Sequence, residues 1–210
     1  MLAPLQDQLK NVRFILASGS PRRQEYIKNL GIEAELCSSE FDERTIKPKD
    51  YKSYDEFVIA IANGKAEEVE KRLQNELKDT QYCIIGADTI NVLNDKIFGK
   101  PKDEDEAFRM LKELNGQPHF VYTGCVLKFN DKVVKFCEST KVFFGKLTEE
   151  QIKAYIDSRE PLDKCGAYGT EDLGSCMVER IEGDYFANVG IPLYRISVEL
   201  CKAFNYDTNK

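Results

Sequence analysis

Two adjacent arginines, Arg22 and Arg23, follow the short run Ser18-Gly-Ser-Pro21, and the chemistry such a pair offers is anion binding. Phe14 to Ala17 reads as a short buried strand, Ser18 to Ser20 as a tight loop, and Ser20-Pro21 as the N-cap and first residue of a helix. Unsatisfied N–H groups and about half a positive charge collect at a helix amino end, so two guanidiniums in that turn are locally unfavourable unless an anion joins them. Loop, helix start and guanidiniums together describe a polyphosphate cradle, with a solvated basic turn as the plainer alternative.

A second group lies further along. Gly86, Asp88, Ile90 and Val92 share one face of a strand, which sets a carboxylate in register with apolar side chains, either at an active cleft or as a strand-end aspartate. Ser53-Tyr-Asp-Glu56 is a capping-box pattern that opens a helix through about Leu77. Its apolar stripe is Phe57, Val58, Ile61, Ala62, Val69 and Leu73, and Lys65 falls in the middle of it, so that lysine is expected to point inward. An inward ammonium costs desolvation, which predicts that Lys65→Met weakens catalysis while raising stability. Lys100 in Gly99-Lys-Pro101 and the acidic pair Asp42-Glu43 complete a set with both charge signs, as phosphate-and-metal chemistry uses. Each also has a bland role: Lys65 can snorkel out, Lys100 can decorate a turn, and Asp42-Glu43 can be a solvated charge run.

The elements that must position these residues follow from periodicity and punctuation. A helix over 21–30 closes at Gly31, and Ile32 to Cys37 forms a strand. Tyr82 to Leu93 is a strand that turns at Asn94-Asp95 and returns through Lys96 to Phe98. Asp103 and Glu106 open a helix that ends at Asn115-Gly116; Phe120 to Phe129 and Val133 to Phe144 are strands joined at Asn130-Asp131. Thr148 and Gln151 box a helix to about Asp157, Pro161 to Gly174 is a polar loop, Cys176 to Ile181 a strand, and Pro192 to Phe204 a last helix. Alternating strands and helices with hairpins in the middle predict an α/β fold, a mixed twisted sheet flanked by helices.

Composition narrows the partners. The chain has 210 residues, long enough for one substantial core, with 36 acidic against 30 basic residues and net charge −6. That balance disfavours broad nucleic-acid binding, so any polyphosphate contact is local. Seven cysteines without a C-x-x-C, and a single histidine at His119, argue against structural zinc and against a secreted disulfide scaffold. No apolar run approaches a membrane span and Met1 to Val12 lacks a leader pattern, so a cytoplasmic protein with no membrane partner is expected. His119 follows Pro118 at a strand start without a partner motif and is read as structural.

These residues together resemble a family, the Maf proteins, which are nucleoside triphosphate pyrophosphatases. The matching motifs are Ser18-Gly-Ser-Pro-Arg-Arg23, Phe41-Asp-Glu43, Gly86-Ala-Asp-Thr89, Gly99-Lys-Pro101, Tyr122-Thr-Gly124, Pro161-Leu-Asp-Lys-Cys-Gly-Ala-Tyr-Gly169 and Asn188-Val-Gly-Ile-Pro192. The resemblance implies two lobes with a central cleft in a Maf/ITPase-like α/β fold. It divides the chain into an N-terminal extension over 1–12, a single catalytic domain over 13–204 and a C-terminal tail over 205–210. It implies hydrolysis of a nucleoside triphosphate to the monophosphate plus pyrophosphate with a divalent cation, Mg²⁺ or Mn²⁺, which limits incorporation of non-standard nucleotides. Asp88 corresponds to the family's proton acceptor; Ser18, Ser20, Arg22, Lys65 and Lys100 to phosphate-contacting positions; Asp42, with Asp88, to the metal side. Arg23, Thr89 and Glu171 stand at base-specificity positions of the branch acting on dTTP, UTP and modified pyrimidine nucleotides, and a homodimer is also suggested. That branch carries glutamine where this chain has Glu171, which exchanges a donor-and-acceptor for an acceptor alone. A nucleotidyltransferase and a nucleotide-binding regulator of cell division are the competing functions. The first lacks a Gly-x-Gly-Thr-Arg loop here, and intact Asp88 and Lys65 argue against the second.

Overall fold

The structure, a computed structural model, describes residues 2–206. In chain order the elements are α1 (Gln6–Leu9), β1 (Arg13–Leu16), α2 (Pro21–Tyr26), β2 (Ala34–Leu36), α3 (Tyr54–Arg72), α4 (Gln74–Leu77), β3 (Tyr82–Leu93), β4 (Lys96–Phe98), α5 (Glu104–Leu114), β5 (Pro118–Phe129), β6 (Val133–Phe144), α6 (Glu149–Asp157), β7 (Val178–Glu182), α7 (Tyr185–Asn188) and α8 (Leu193–Ala203). Of the expected C-terminal tail, 207–210 lie outside the described residues, as does Met1.

The strands form one seven-stranded sheet in the order β2-β1-β3-β5-β6-β7, with β4 paired to β3. β1 runs parallel to both β2 and β3, whereas β3–β4 and β6–β7 are antiparallel. The sheet is therefore mixed and carries helices against it, an α/β architecture as the alternation predicts. Parallel neighbours need crossovers, and α2 and α3 fill that role on either side of β2. The hairpin turn at Asn94-Asp95 has φ of 49° and 60°, the left-handed pair that suits a two-residue connection.

Local signals account for most helix ends. Ser53 accepts from the Glu56 N–H, Asp103 from the Glu106 N–H, and Thr148 with Gln151 forms a full capping box. The helix expected over 21–30 tightens into a 3₁₀ turn at Ile27–Leu30 before Gly31, whose φ is 70°. Two expectations change. Ser20 occupies the N-cap of α2 but its hydroxyl makes no cap bond, and the helix expected to run to Leu77 breaks at Leu73, with α4 beginning afresh. The first residues are not featureless either: Leu2, Leu5, Leu9 and Val12 are buried, a helical spacing that docks this segment.

The chain packs into two compact units, and the division falls inside β3, β5 and β6. The first runs through Asp88, takes in Thr123–Glu138 and resumes at Gly190; its core includes Ile15, Ala62, Ala66, Val69, Ile84 and Val126. The second comprises Thr89–Tyr122 and Ser139–Val189, with Phe98, Leu111, Leu114, Phe144, Ile152 and Tyr168 at its centre. No helix among the described residues is long and apolar enough to cross a membrane.

Candidate active site

Glycines bring α3 close enough to the sheet for a lysine to reach a strand. A side chain at Gly86 on β3 would run into the Ala62 carbonyl of α3, and one at Gly124 on β5 would strike the backbone of Val58 and Ile59. Such close backbone approach is what glycine in a strand permits. Lys65, one turn beyond Ala62, then donates from Nζ to Asp88 Oδ1 at 2.7 Å and pairs equally closely with Glu43 Oε1 at 2.7 Å. The Lys65 side chain is 13% exposed and that of Asp88 10%, so the inward lysine and the inward carboxylate expected from periodicity meet each other.

The loop that carries Glu43 is clipped to the same helix. The Phe41 ring lies against Gly64, where a Cβ would collide with it. Glu68 of α3 accepts the Glu40 N–H at 2.9 Å and the Ser39 hydroxyl at 3.0 Å, and Arg72 donates to the Ser38 carbonyl at 2.7 Å. This anchoring turns Glu43 toward Lys65. Asp42 is directed elsewhere: its carboxylate caps the next turn and holds the Arg44 guanidinium at 2.8 and 3.1 Å, and those bonds keep its pKa below the usual range. Burial pushes the Asp88 carboxyl up, while the Lys65 ammonium opposes the shift and the Glu43 carboxylate adds to it.

At the other end of β1 the loop is fixed by the parallel pairing itself. The Ala17 N–H donates to the Ile85 carbonyl at 2.9 Å, and that of Cys37 to Leu16 at 3.1 Å. Ser18 is buried, and its Oγ accepts from the Ser20 N–H at 3.2 Å and from Arg23 Nη1 at 3.4 Å. Arg23 also donates from Nε to the Gly190 carbonyl at 2.7 Å, which holds its charge near enough to favour ionised Asp88. Arg22 and Ser20 are half-buried beside it at the start of α2.

The remaining expected positions belong to the second unit. Thr89 follows Asp88 on β3, and its carbonyl accepts from Cys165 Sγ at 3.1 Å. Lys100 is exposed after β4, where the preceding Gly99 carbonyl accepts the Gly166 N–H at 2.9 Å. Glu171 curls back so that Oε2 accepts the Thr170 N–H at 2.8 Å. The structure thus brings Lys65, Asp88 and Glu43 together, and Ser18 with Arg23. Glu43 is the residue that sequence patterning left without a role of its own, because only the docking of Phe41 on Gly64 decides which of two adjacent acids faces the lysine.

No cluster of three or more candidate metal ligands occurs among the described residues. Glu43 and Asp88 nevertheless bring two hard carboxylate donors to the same neighbourhood, each with one oxygen 2.7 Å from the Lys65 ammonium, and Mg²⁺ is commonly held by one or two carboxylates with substrate phosphates completing its shell. The donor set fits such an ion bound together with substrate.

Comparison with known proteins finds similarity along nearly the whole chain. The family model described as Maf-like protein matches residues 13–203. A dTTP/UTP pyrophosphatase of Bacillus thuringiensis subsp. konkukian is 45% identical over 195 residues, covering 93% of this chain and 97% of the relative. A dTTP/UTP pyrophosphatase of Acetivibrio thermocellus is 44% identical over 202 residues, covering 95% of this chain and 98% of its own length.

Proposed function

The chain belongs to the Maf family, and from that membership we propose that it hydrolyses nucleoside triphosphates, dTTP and UTP foremost, to the monophosphate and pyrophosphate. The observation that carries the chemistry is the half-buried, inward Lys65 ammonium, 2.7 Å from both Asp88 and Glu43 on a helix that glycines let down onto the strand. In this proposal Asp88 orients the attacking water and takes its proton. Its Oδ1 is engaged by Lys65, so Oδ2 is the oxygen that meets the water. Burial raises the affinity of Asp88 for a proton, and a carboxylate made more basic is a better acceptor as long as it is ionised before turnover; the Lys65 ammonium favours that ionised form.

Ser18, Ser20, Arg22 and Lys100 would contact the phosphates, with the guanidinium giving bidentate geometry and the ammonium a point charge. Arg23, held by the Gly190 carbonyl, would act with Thr89 and Glu171 in choosing the base. A divalent cation held by Glu43, Asp88 and the phosphates would neutralise charge on the departing pyrophosphate. Asp42, occupied by Arg44, stands outside this set. A homodimer is part of the proposal, tested by a molar mass in solution of twice 24.0 kDa.

The test is product analysis with no acceptor present and Mg²⁺ or Mn²⁺ added back after chelation. One pyrophosphate and one monophosphate per dTTP or UTP consumed is expected, with CTP and GTP slower and turnover lost on chelation. Orthophosphate as the first product, or nucleotide consumption that requires an acceptor, would contradict the assignment.

A further inference from the structure

The segment that carries Glu171 has almost no backbone ladder of its own. Residues 165–177 run through short 3₁₀ turns, with Gly166 at φ 68° and Ala167 at φ 61°, so side chains must set its course. Several do. Asn91, buried on β3, donates to the Cys165 carbonyl at 3.0 Å and hydrogen-bonds the Tyr168 hydroxyl. The Gly169 N–H donates to Tyr155 Oη at 3.2 Å, and Asn188 donates to Thr170 Oγ1 at 2.7 Å. The most deeply buried of these anchors comes from β5: His119 is 1% exposed, and its Nε2 stands 2.7 Å from the Tyr168 hydroxyl.

The direction of that bond follows from the other ring nitrogen. His119 Nδ1 faces the Gln117 carbonyl at 3.3 Å, and a carbonyl only accepts, so Nδ1 carries the proton and Nε2 receives the hydrogen of Tyr168. The two rings cross edge to face at 5.4 Å, and both pack edge-on against Phe144. Tyr168 is 5% exposed, so without His119 its hydroxyl loses its acceptor in a place water does not reach. Glu171 lies three positions after Tyr168.

We propose that His119 is a positioning residue for base selection: by accepting the Tyr168 hydroxyl it fixes the course of residues 168–171 and with it the carboxylate of Glu171. The proposal rests on Glu171 addressing the base. Burial keeps the ring neutral by lowering its pKa to about 4, so the acceptor at Nε2 is present at any neutral pH.

The experiment compares kcat and KM for dTTP, UTP, CTP and GTP in the wild-type protein and in His119→Leu, His119→Gln, Tyr168→Phe, the His119→Leu/Tyr168→Phe double variant and Glu171→Ala. His119→Leu and Tyr168→Phe should each lower the preference for dTTP over CTP about tenfold, through KM, with kcat for dTTP within about twofold. His119→Gln, whose carbonyl reaches the position of Nε2, should keep the preference, and the double variant should be no worse than either single one. Equal losses for all four triphosphates, or additive losses in the double variant, would overturn the positioning role in favour of a structural one. Tyr168→Phe removes a single oxygen, so it remains informative if His119→Leu does not fold. Should Glu171→Ala lower the preference while Tyr168→Phe leaves it unchanged, the coupling fails and the base role of Glu171 stands. Should Glu171→Ala leave it unchanged, the role of Glu171 fails and the chain from His119 falls with it.

Discussion

Single residues separate what spacing reveals from what only packing decides. Asp88 and Lys65 were both legible: a period of two put the acid among apolar neighbours, and a period of 3.6 put the lysine inside a stripe. Glu43 was not, since its direction depends on Phe41 seating against Gly64. His119 reads as structural from its lack of a sequence partner, but its partner in the fold, Tyr168, lies 49 residues away and no pattern links the two. Its burial has a thermodynamic signature. The folded pKa is lowered from 6.5 to about 4, so the neutral form stabilises the fold above pH 6.5, and that stability drains away as pH falls toward 4. The full loss is on the order of 3 kcal/mol. Urea unfolding of wild type and His119→Gln across that range should therefore show the wild type losing its advantage as pH falls; parallel curves would mean that His119 does not titrate differently on unfolding.

At the scale of elements, strong signals gave the right boundaries. β3 and β6 occupy the predicted spans, and the caps at Ser53, Asp103 and Thr148 start their helices where expected. What failed was quieter. Nothing in Arg72-Leu-Gln74 marks the break between α3 and α4, and the buried spacing of Leu2, Leu5, Leu9 and Val12 is too short to stand out as a helix in the sequence. The packing of α3 on β3 also reverses one expectation. An isolated inward ammonium should be better replaced by an apolar group, but Lys65 is paired with a buried carboxylate, and removing one partner of a buried pair leaves the other uncompensated. Lys65→Met is therefore expected to cost about 3 kcal/mol rather than to stabilise. The Lys65→Met/Asp88→Asn double variant should recover a large part of that loss, because the stranded charge is gone. Thermal or urea unfolding of the four proteins in the cycle measures this, and a Lys65→Met protein more stable than wild type would show that the pair contributes nothing.

Across the whole molecule, the alternation of strands and helices predicted a mixed α/β sheet, and the order in which the strands pair emerges only from the fold. The net charge of −6 disfavours broad nucleic-acid binding, so contacts to a triphosphate must be local. Everything then turns on whether Asp88 performs the proton transfer for which burial, Lys65 and Glu43 prepare it. The direct measurement is steady-state turnover of dTTP by Asp88→Asn, with folding verified by its unfolding transition. The amide keeps the shape and cannot take a proton from water, so kcat should fall by about two to four orders of magnitude while the protein still unfolds cooperatively, Glu43 remaining to pair the Lys65 ammonium. A variant that keeps more than about a tenth of wild-type turnover, against the scale set by removal of a positioned base, would contradict the account.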